Sequence, residues 1–222
     1  MPRRHRALLA LPAALPLLAV LTACGGGSSS TTATQPATAC DYTVTGQAAK
    51  KVTPPPSSTD LTGEVKATIE TSAGTLDATL DATKAPCTVA SFVSLAKQGY
   101  YDNTPCHRLT TSGIYVLQCG DPTGTGAGGP GYTIPDELSG KETYGPGTLA
   151  MARTSAPHSG GSQFFVVYQD TPLSPDYTVF GKISPSSVAA VKKVAAQGSD
   201  NADGPGDGHP NEKVTITKVT TG

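Results

Sequence analysis

Between positions 106 and 182 the chain carries five short motifs, which are Cys-His-Arg (106–108), Leu-Gln-Cys-Gly-Asp (117–121), Gly-Thr-Leu-Ala-Met-Ala (147–152), Gly-Ser-Gln-Phe-Phe (161–165) and Tyr-Thr-Val-Phe-Gly-Lys (177–182). Segments rich in Gly and Pro separate these short apolar stretches, and this arrangement is typical of short strands joined by turns. The 222 residues include 25 Gly and 19 Pro. The composition therefore favours a turn-rich β domain over a helical bundle.

Regular periodicity flanks the motifs on both sides. Segment 65–80 alternates apolar and polar residues around a turn, which predicts a β-hairpin with one buried face. Apolar residues at helical spacing over 86–98 and 188–195, each stretch ending near a glycine, predict two helices. Segment 214–219 predicts a closing strand. Together these elements predict a mainly β fold, a closed β-barrel capped by two α-helices.

Taken together and in this order, the five motifs resemble those of the cyclophilin family of peptidyl-prolyl cis/trans isomerases. The resemblance covers residues 63–219 and implies a closed eight-stranded antiparallel barrel. It also implies an enzyme that accelerates rotation about X-Pro bonds in proline-containing polypeptides, with no cofactor.

The resemblance further implies which residues form the site. Arg108 would be catalytic and donate to the prolyl nitrogen, with Gln118 bracing it. Gln163 and the backbone at Arg153 would hold the substrate carbonyl. The other substrate-binding residues would line a proline pocket (Tyr115, Val116, Phe165, Leu173, Tyr177) or border the groove for the residues that precede proline (Gly126, Ala152). Strand alternation predicts that Phe164 points into the barrel instead.

Several positions depart from the family pattern. Pro172 takes the place of a Trp, Tyr177 that of a His, and Tyr115 and Val116 those of Phe and Met. The missing Trp removes a hydrogen-bond donor and a packing surface that the family uses for cyclosporin, so we expect weak cyclosporin binding. These substitutions leave an alternative open, an adaptor that holds proline-containing segments without turnover. For Arg108 the alternative is a structural ion pair.

Residues 1–23 have the features of a signal peptide, a basic start followed by an uncharged apolar stretch. That stretch is shorter than the roughly 20 residues that span a bilayer. Cys24 follows Leu-Thr-Ala and resembles the acylated cysteine of a bacterial lipobox; a plain secretory signal is the alternative. We therefore expect residues 24–62 to be a flexible tether and extension, and residues 63–222 an isomerase domain. This monomer would be lipid-anchored to the bacterial cell membrane, outside the cytoplasm, and act on exported proteins.

Four cysteines follow Cys24, at 40, 87, 106 and 119. An extracytoplasmic location permits disulfides, and the four allow three pairings. We predict two disulfides, or one disulfide and two free thiols. A direct Cys106–Cys119 bridge would need a bulge, because strand alternation places these two residues on opposite faces.

Other patterns argue against further functions. The glycine-rich segment 124–129 matches G-x-G-x-x-G, but prolines follow it where a nucleotide-binding helix would have to start. The acidic segment 200–212 lacks the spacing of an EF-hand and predicts a solvated loop. Because no C-x-x-C pair occurs, we predict no metal site. A net charge of −1 and the lack of a basic stripe argue against nucleic-acid binding. His107 is predicted to be structural.

Overall fold

A computed structural model of the chain describes residues 36–222, so the predicted signal peptide and Cys24 lie outside the described residues. Within this range the chain forms fourteen strands and two helices. In chain order they are β1 (Thr38–Ala39), β2 (Thr43–Val44), β3 (Ser58–Thr59), β4 (Glu64–Thr71), β5 (Gly74–Asp81), α1 (Pro86–Lys97), β6 (Thr104–Pro105), β7 (Arg108–Thr110), β8 (Val116–Cys119), β9 (Tyr132–Thr133), β10 (Thr148–Met151), β11 (Phe164–Val167), β12 (Val179–Ile183), α2 (Pro185–Ala195), β13 (Asp207–Gly208) and β14 (Thr215–Thr221).

The hairpin predicted from residues 65–80 is present as β4 and β5. The two strands pair over their whole length, with Ile69 opposite Leu76. Ile69, Leu76, Ala78 and Leu80 are buried, whereas Glu70, Asp77 and Thr79 are more exposed. Alternating apolar residues thus set both the strands and the buried face, as predicted.

The main sheet has ten antiparallel strands, in the order β13-β7-β8-β11-β10-β12-β5-β4-β14-β6, curled into a half-barrel. Within residues 36–222 no strand pairing joins the edge strands β13 and β6. The prediction of a closed eight-stranded barrel is therefore wrong in strand number and in closure. Cys106 and His107 lie outside the strands and separate β6 from β7. Two-residue strands such as β6 and β13 are too short to show an alternating pattern.

Both predicted helices are confirmed, and each begins at a proline. Proline lacks a backbone N–H, but the N–H groups of the first helical turn have no intrahelical acceptor, so nothing is lost at this position. The hydroxyl of Ser184 caps α2 by accepting a hydrogen bond from the backbone N–H of Ser187. Helix α1 buries Val89, Phe92 and Leu95 against the main sheet. Neither of these helices, in the range 36–222, is long and apolar enough to cross a membrane.

Alternation along β8 and β11 separates two apolar clusters on opposite faces of the sheet. Leu117 and Phe164 belong to the main core inside the curl, whereas Val116 and Phe165 belong to a smaller cluster on the outer face. The ring of Phe164 lies 5.6 Å from that of Phe92, centroid to centroid. This confirms the prediction that Phe164 points into the core and leaves the outer face for the candidate site.

The described part of the N-terminal extension packs on the domain. Strand β1 pairs with β3, and β2 pairs with β9, which lies in the domain. The ammonium group of Lys50 donates to the carbonyls of Gly99 and Asp102. The compact unit therefore begins well before residue 63.

Two disulfides pair the four cysteines of the described residues, Cys40 with Cys87 and Cys106 with Cys119. This was one of the predicted alternatives. Cys106 and His107 lie outside regular strand geometry, between β6 and β7. Because of this irregularity Cys106 can reach Cys119, so the bridge closes the end of the β7–β8 pair.

Candidate active site

Three neighbouring strands align Arg108, Gln118 and Phe165 in one row across the sheet. Arg108 on β7 lies directly opposite Gln118 on β8, which lies opposite Phe165 on β11. Residues opposite one another on adjacent strands project from the same face. A guanidinium, an amide and an aromatic ring therefore share the outer face of the sheet.

An apolar cluster on the outer face lies next to this row. Its buried members are Val116, Tyr144, Ala150, Phe165 and Val167. Partly buried residues surround them: Ile114, Ala152, Leu173, Tyr177 and Val179. The structure thus brings together four of the residues predicted for the proline pocket, namely Val116, Phe165, Leu173 and Tyr177.

Tyr144, which sequence analysis missed, holds Tyr177 in this cluster. Its hydroxyl donates to the Tyr177 carbonyl at 3.0 Å and accepts from the Tyr177 N–H at 3.0 Å. The rings of Tyr177 and Phe165 meet edge to face, with centroids 5.4 Å apart, and the Arg153 guanidinium lies 5.6 Å from the centroid of the Tyr177 ring. No motif marks Tyr144 in the sequence, because its partner is 33 residues away.

Tyr115 does not join the pocket cluster in which it was predicted. Its ring packs edge-on against Tyr168, with centroids 6.0 Å apart, at the margin of the main core. The reason is strand alternation: Val116 faces outward, so its neighbour Tyr115 faces the other way.

Arg108 is half-buried and forms a bidentate ion pair with Asp207. The Nε atom donates to Oδ1 at 2.8 Å, and Nη2 donates to Oδ2 at 2.6 Å. The hydrogen bonds with Asp207 raise the pKa of Arg108 above its ordinary value. The acidic segment 200–212, predicted to be a solvated loop, is thus partly packed on the sheet, because β13 pairs with β7 and brings the Asp207 carboxylate to Arg108.

Gln118 and Gln163 form a second hydrogen-bond network next to the row. Gln118 Nε2 donates to Gln163 Oε1 at 2.9 Å, so the bracing of Arg108 expected from Gln118 comes from Asp207 instead. Gln163 Nε2 donates to the carbonyls of Gly126 and Gly128 at 2.8 and 2.9 Å. Both amide hydrogens of Gln163 are thus engaged by the glycine-rich segment.

Asp121, another residue that sequence analysis missed, organises that segment. Its fully buried carboxylate accepts hydrogen bonds from Thr123 and from the backbone N–H groups of Gly126 and Gly128. Burial alone would raise the pKa of this carboxyl, but these hydrogen bonds outweigh it and hold the pKa below its ordinary value. The buried anion therefore fixes the loop whose carbonyls orient Gln163.

A groove of about 530 Å³ runs beside the glutamine pair. It is lined by five of the predicted residues, Gln118, Gly126, Ala152, Arg153 and Gln163. Residues 45–47 of the N-terminal extension line it as well. A larger cavity of about 670 Å³ lies elsewhere, beside Glu137 and Lys182, and contains none of the predicted site residues.

His107 is buried beside the glycine-rich segment, and neither of its ring nitrogens has a hydrogen-bond partner. Burial lowers the pKa of His107, with the nearby charge of Arg108 acting in the same direction and that of Asp121 against it. The buried His107 ring packs against Gly126, which agrees with the structural role predicted from the sequence. Among residues 36–222 no group of three His, Cys, Asp or Glu side chains is arranged to hold a metal ion.

Comparison with known proteins identifies the family. The model of the cyclophilin type peptidyl-prolyl cis-trans isomerase/CLD family matches residues 66–221. A crystal structure of a Cryptosporidium parvum cyclophilin type peptidyl-prolyl cis-trans isomerase superposes with a TM-score of 0.63 at 30% identity, covering 72% of this chain and 98% of that one. The chain belongs to the cyclophilin family.

Two similar mycobacterial proteins are both described as "Probable peptidyl-prolyl cis-trans isomerase B". The Mycobacterium leprae protein is 42% identical over 196 residues, and a Mycobacterium tuberculosis protein is 45% identical over 169 residues. These matches cover 81% and 70% of this chain, but they span 65% and 54% of the two relatives. The chain therefore matches less than two thirds of the length of either relative.

Proposed function

We propose that this protein is a peptidyl-prolyl cis/trans isomerase that acts on X-Pro bonds of polypeptides. The observation that carries the proposal is the row of Arg108, Gln118 and Phe165 beside the apolar cluster of the outer face. Membership of the cyclophilin family supports it. A second Cryptosporidium parvum structure, determined in the presence of the dipeptide Ala-Pro, has a TM-score of 0.61 with this chain.

Rotation about an X-Pro bond is slow because amide resonance imposes a barrier of roughly 20 kcal/mol. The pocket around Phe165 holds the proline ring and keeps water from the amide. Twisting the bond localises a lone pair on the prolyl nitrogen, and an N–H of Arg108 donates to that lone pair. This hydrogen bond favours the twisted state over the planar one and lowers the barrier without covalent chemistry.

The N–H donors of Arg108 and Gln163 already make hydrogen bonds within the protein. Asp207 engages the Nε and Nη2 atoms of Arg108, which leaves Nη1 and the second hydrogen of Nη2 for substrate. A substrate carbonyl takes a hydrogen from Gln163 Nε2 in exchange for the carbonyl of Gly126 or Gly128. One acceptor replaces another, so the peptide is held on one side of the prolyl bond while the other side rotates.

The protein would act on exported proteins, as a lipid-anchored monomer outside the cytoplasm. The signal-like residues 1–23, and Cys24 directly after Leu-Thr-Ala, support this location. The two disulfides also support it, because such bonds persist in oxidising compartments. Among the described residues, Val44 and Leu138 are the exposed large hydrophobic side chains, so little apolar surface is present for self-association.

The test is cis/trans exchange of a short X-Pro peptide, followed by NMR with the oxidised protein and with Arg108→Ala and Arg108→Lys. We expect catalysed exchange that falls about a hundredfold in both variants, because lysine keeps the charge but not the planar fork. Peptide affinity should change little. Peptide binding without catalysed exchange by the parent protein would refute the proposal in favour of an adaptor.

A further inference from the structure

Asp207 lies in a loop that its own hydrogen bonds hold in place. We call residues 199–210 the acidic loop. The carboxylate of Asp200 accepts hydrogen bonds from the backbone of His209 and pairs with its ring. Gly206 has a φ of +77°, which favours glycine, and its carbonyl accepts from the N–H of Thr111 at 2.7 Å. The loop is thus closed on itself and tied to the strand that carries Arg108.

Strand pairing then brings Asp207 and Arg108 to the same face. Asp207 lies opposite Thr110 in the β13–β7 pair, and Thr110 is two residues after Arg108, so both side chains point the same way. The two hydrogen bonds of the ion pair then connect the Asp207 carboxylate to the Arg108 guanidinium. The carboxylate meets the Nε–Nη2 edge of the guanidinium and leaves the opposite edge uncovered.

We propose that Asp207 is a positioning residue that orients the Arg108 guanidinium toward the prolyl nitrogen. This inference rests on the proposed isomerase function. An arginine side chain has many rotamers, and a bidentate carboxylate fixes both the position and the plane of its fork. The pair is about one third exposed on the arginine side and one quarter on the aspartate side, where ion pairs contribute little to stability. Its effect is therefore on orientation more than on folding.

The test compares Asp207→Asn, Asp207→Glu and Asp203→Asn in the X-Pro exchange assay. Asp203→Asn removes the same charge from the same loop, but Asp203 makes no side-chain hydrogen bond to Arg108 among the described residues. We expect Asp207→Asn to lower kcat about tenfold with KM nearly unchanged, and Asp207→Glu to recover part of the loss. Asp203→Asn should stay within about twofold of the parent. An equal fall in both Asn variants, or a faster Asp207→Asn enzyme, would overturn the proposal.

A second measurement needs no turnover. In the parent protein we expect the Arg108 Nε–H resonance to be protected from solvent exchange, and we expect Asp207→Asn to abolish that protection. A rapidly exchanging Nε–H in the parent overturns the orienting role even if the variants fail to fold. Conversely, a protected Nε–H in a parent protein without isomerase activity would refute the proposed function but would still show that the ion pair forms.

Discussion

Gln118 donates from its Nε2 atom to the Oε1 atom of Gln163 at 2.9 Å. The bond joins β8 to the residue just before β11 and decides which way the Gln163 amide points, with its hydrogens toward the glycine-rich segment. The orientation of the residue proposed to hold substrate thus depends on a neighbour that need not touch substrate.

If the two glutamines act as one unit, their effects on catalysis should not add. We expect Gln118→Ala and Gln163→Ala each to lower kcat/KM about fivefold to tenfold, the loss of one hydrogen bond. The double variant should be scarcely worse than either single one. The measurement is a double-mutant cycle in the exchange assay, with exposed Gln169→Ala as control. Fully additive losses would contradict a shared role.

Replacing Asp121 by Asn should destabilise the protein and impair catalysis together. The Asn side chain would place an NH2 donor where the carboxylate now accepts hydrogen bonds from the N–H groups of Gly126 and Gly128. We expect a loss of about 2–3 kcal/mol in the free energy of unfolding, the range for hydrogen bonds to a buried charged group. Urea unfolding measures it, with the exposed Asp170→Asn as control. A change as small as in the control would show that the carboxylate does not fix the loop.

The two disulfides should differ in their effect on activity. Chain-entropy estimates give about 3 kcal/mol for the 13-residue separation of Cys106 and Cys119 and about 4 kcal/mol for the 47-residue separation of Cys40 and Cys87. The first bridge closes the strands that carry Arg108 and Gln118, so Cys106→Ser/Cys119→Ser should also lower kcat/KM about tenfold.

The matched Cys40→Ser/Cys87→Ser variant should lose stability but keep its activity on a short peptide. Thermal unfolding and the exchange assay on both double variants provide the comparison. If the second variant loses activity as much as the first, the Cys106–Cys119 bridge has no special role at the site.

Acidification should destabilise the fold through His107. Burial lowers its pKa below the ordinary value near 6.5, so below about pH 6.5 the unfolded chain binds more protons than the folded one. The stabilisation is complete above that pH and is lost as the pH falls toward the pKa of the folded state. Melting temperatures between about pH 7.5 and 5 should fall less steeply for His107→Gln than for the parent or for exposed His158→Gln. Identical slopes would exclude His107 as the group that titrates.

Cyclosporin should inhibit weakly, because Pro172 offers neither the indole donor nor the packing surface of the Trp that the family uses. We expect half-inhibition above about 1 μM, and tightening of about tenfold in Pro172→Trp. Titration in the exchange assay measures both values. Nanomolar inhibition of the parent would show that the outer-face pocket binds cyclosporin without the indole.

Local pattern was enough to predict the hairpin, both helices and the inward direction of Phe164. The grouping of Val116, Phe165, Leu173 and Tyr177 came from the family resemblance instead, because Leu173 and Tyr177 lie outside the strands, where alternation gives no information. Local pattern failed for strand closure, because two-residue strands are too short to show it. The resemblance grouped Tyr115 with Val116, whereas alternation puts these two neighbours on opposite faces of the sheet.

The sequence by itself determined the hairpin, both helices and the family, because periodicity and motif order are properties of neighbours along the chain. Tertiary structure alone decided the partners of those residues. Asp207 reaches Arg108 across 99 residues of chain, Tyr144 holds Tyr177, and Asp121 orders the loop that orients Gln163. Such contacts depend on which strands pair and where a loop closes, and local spacing carries no information about either.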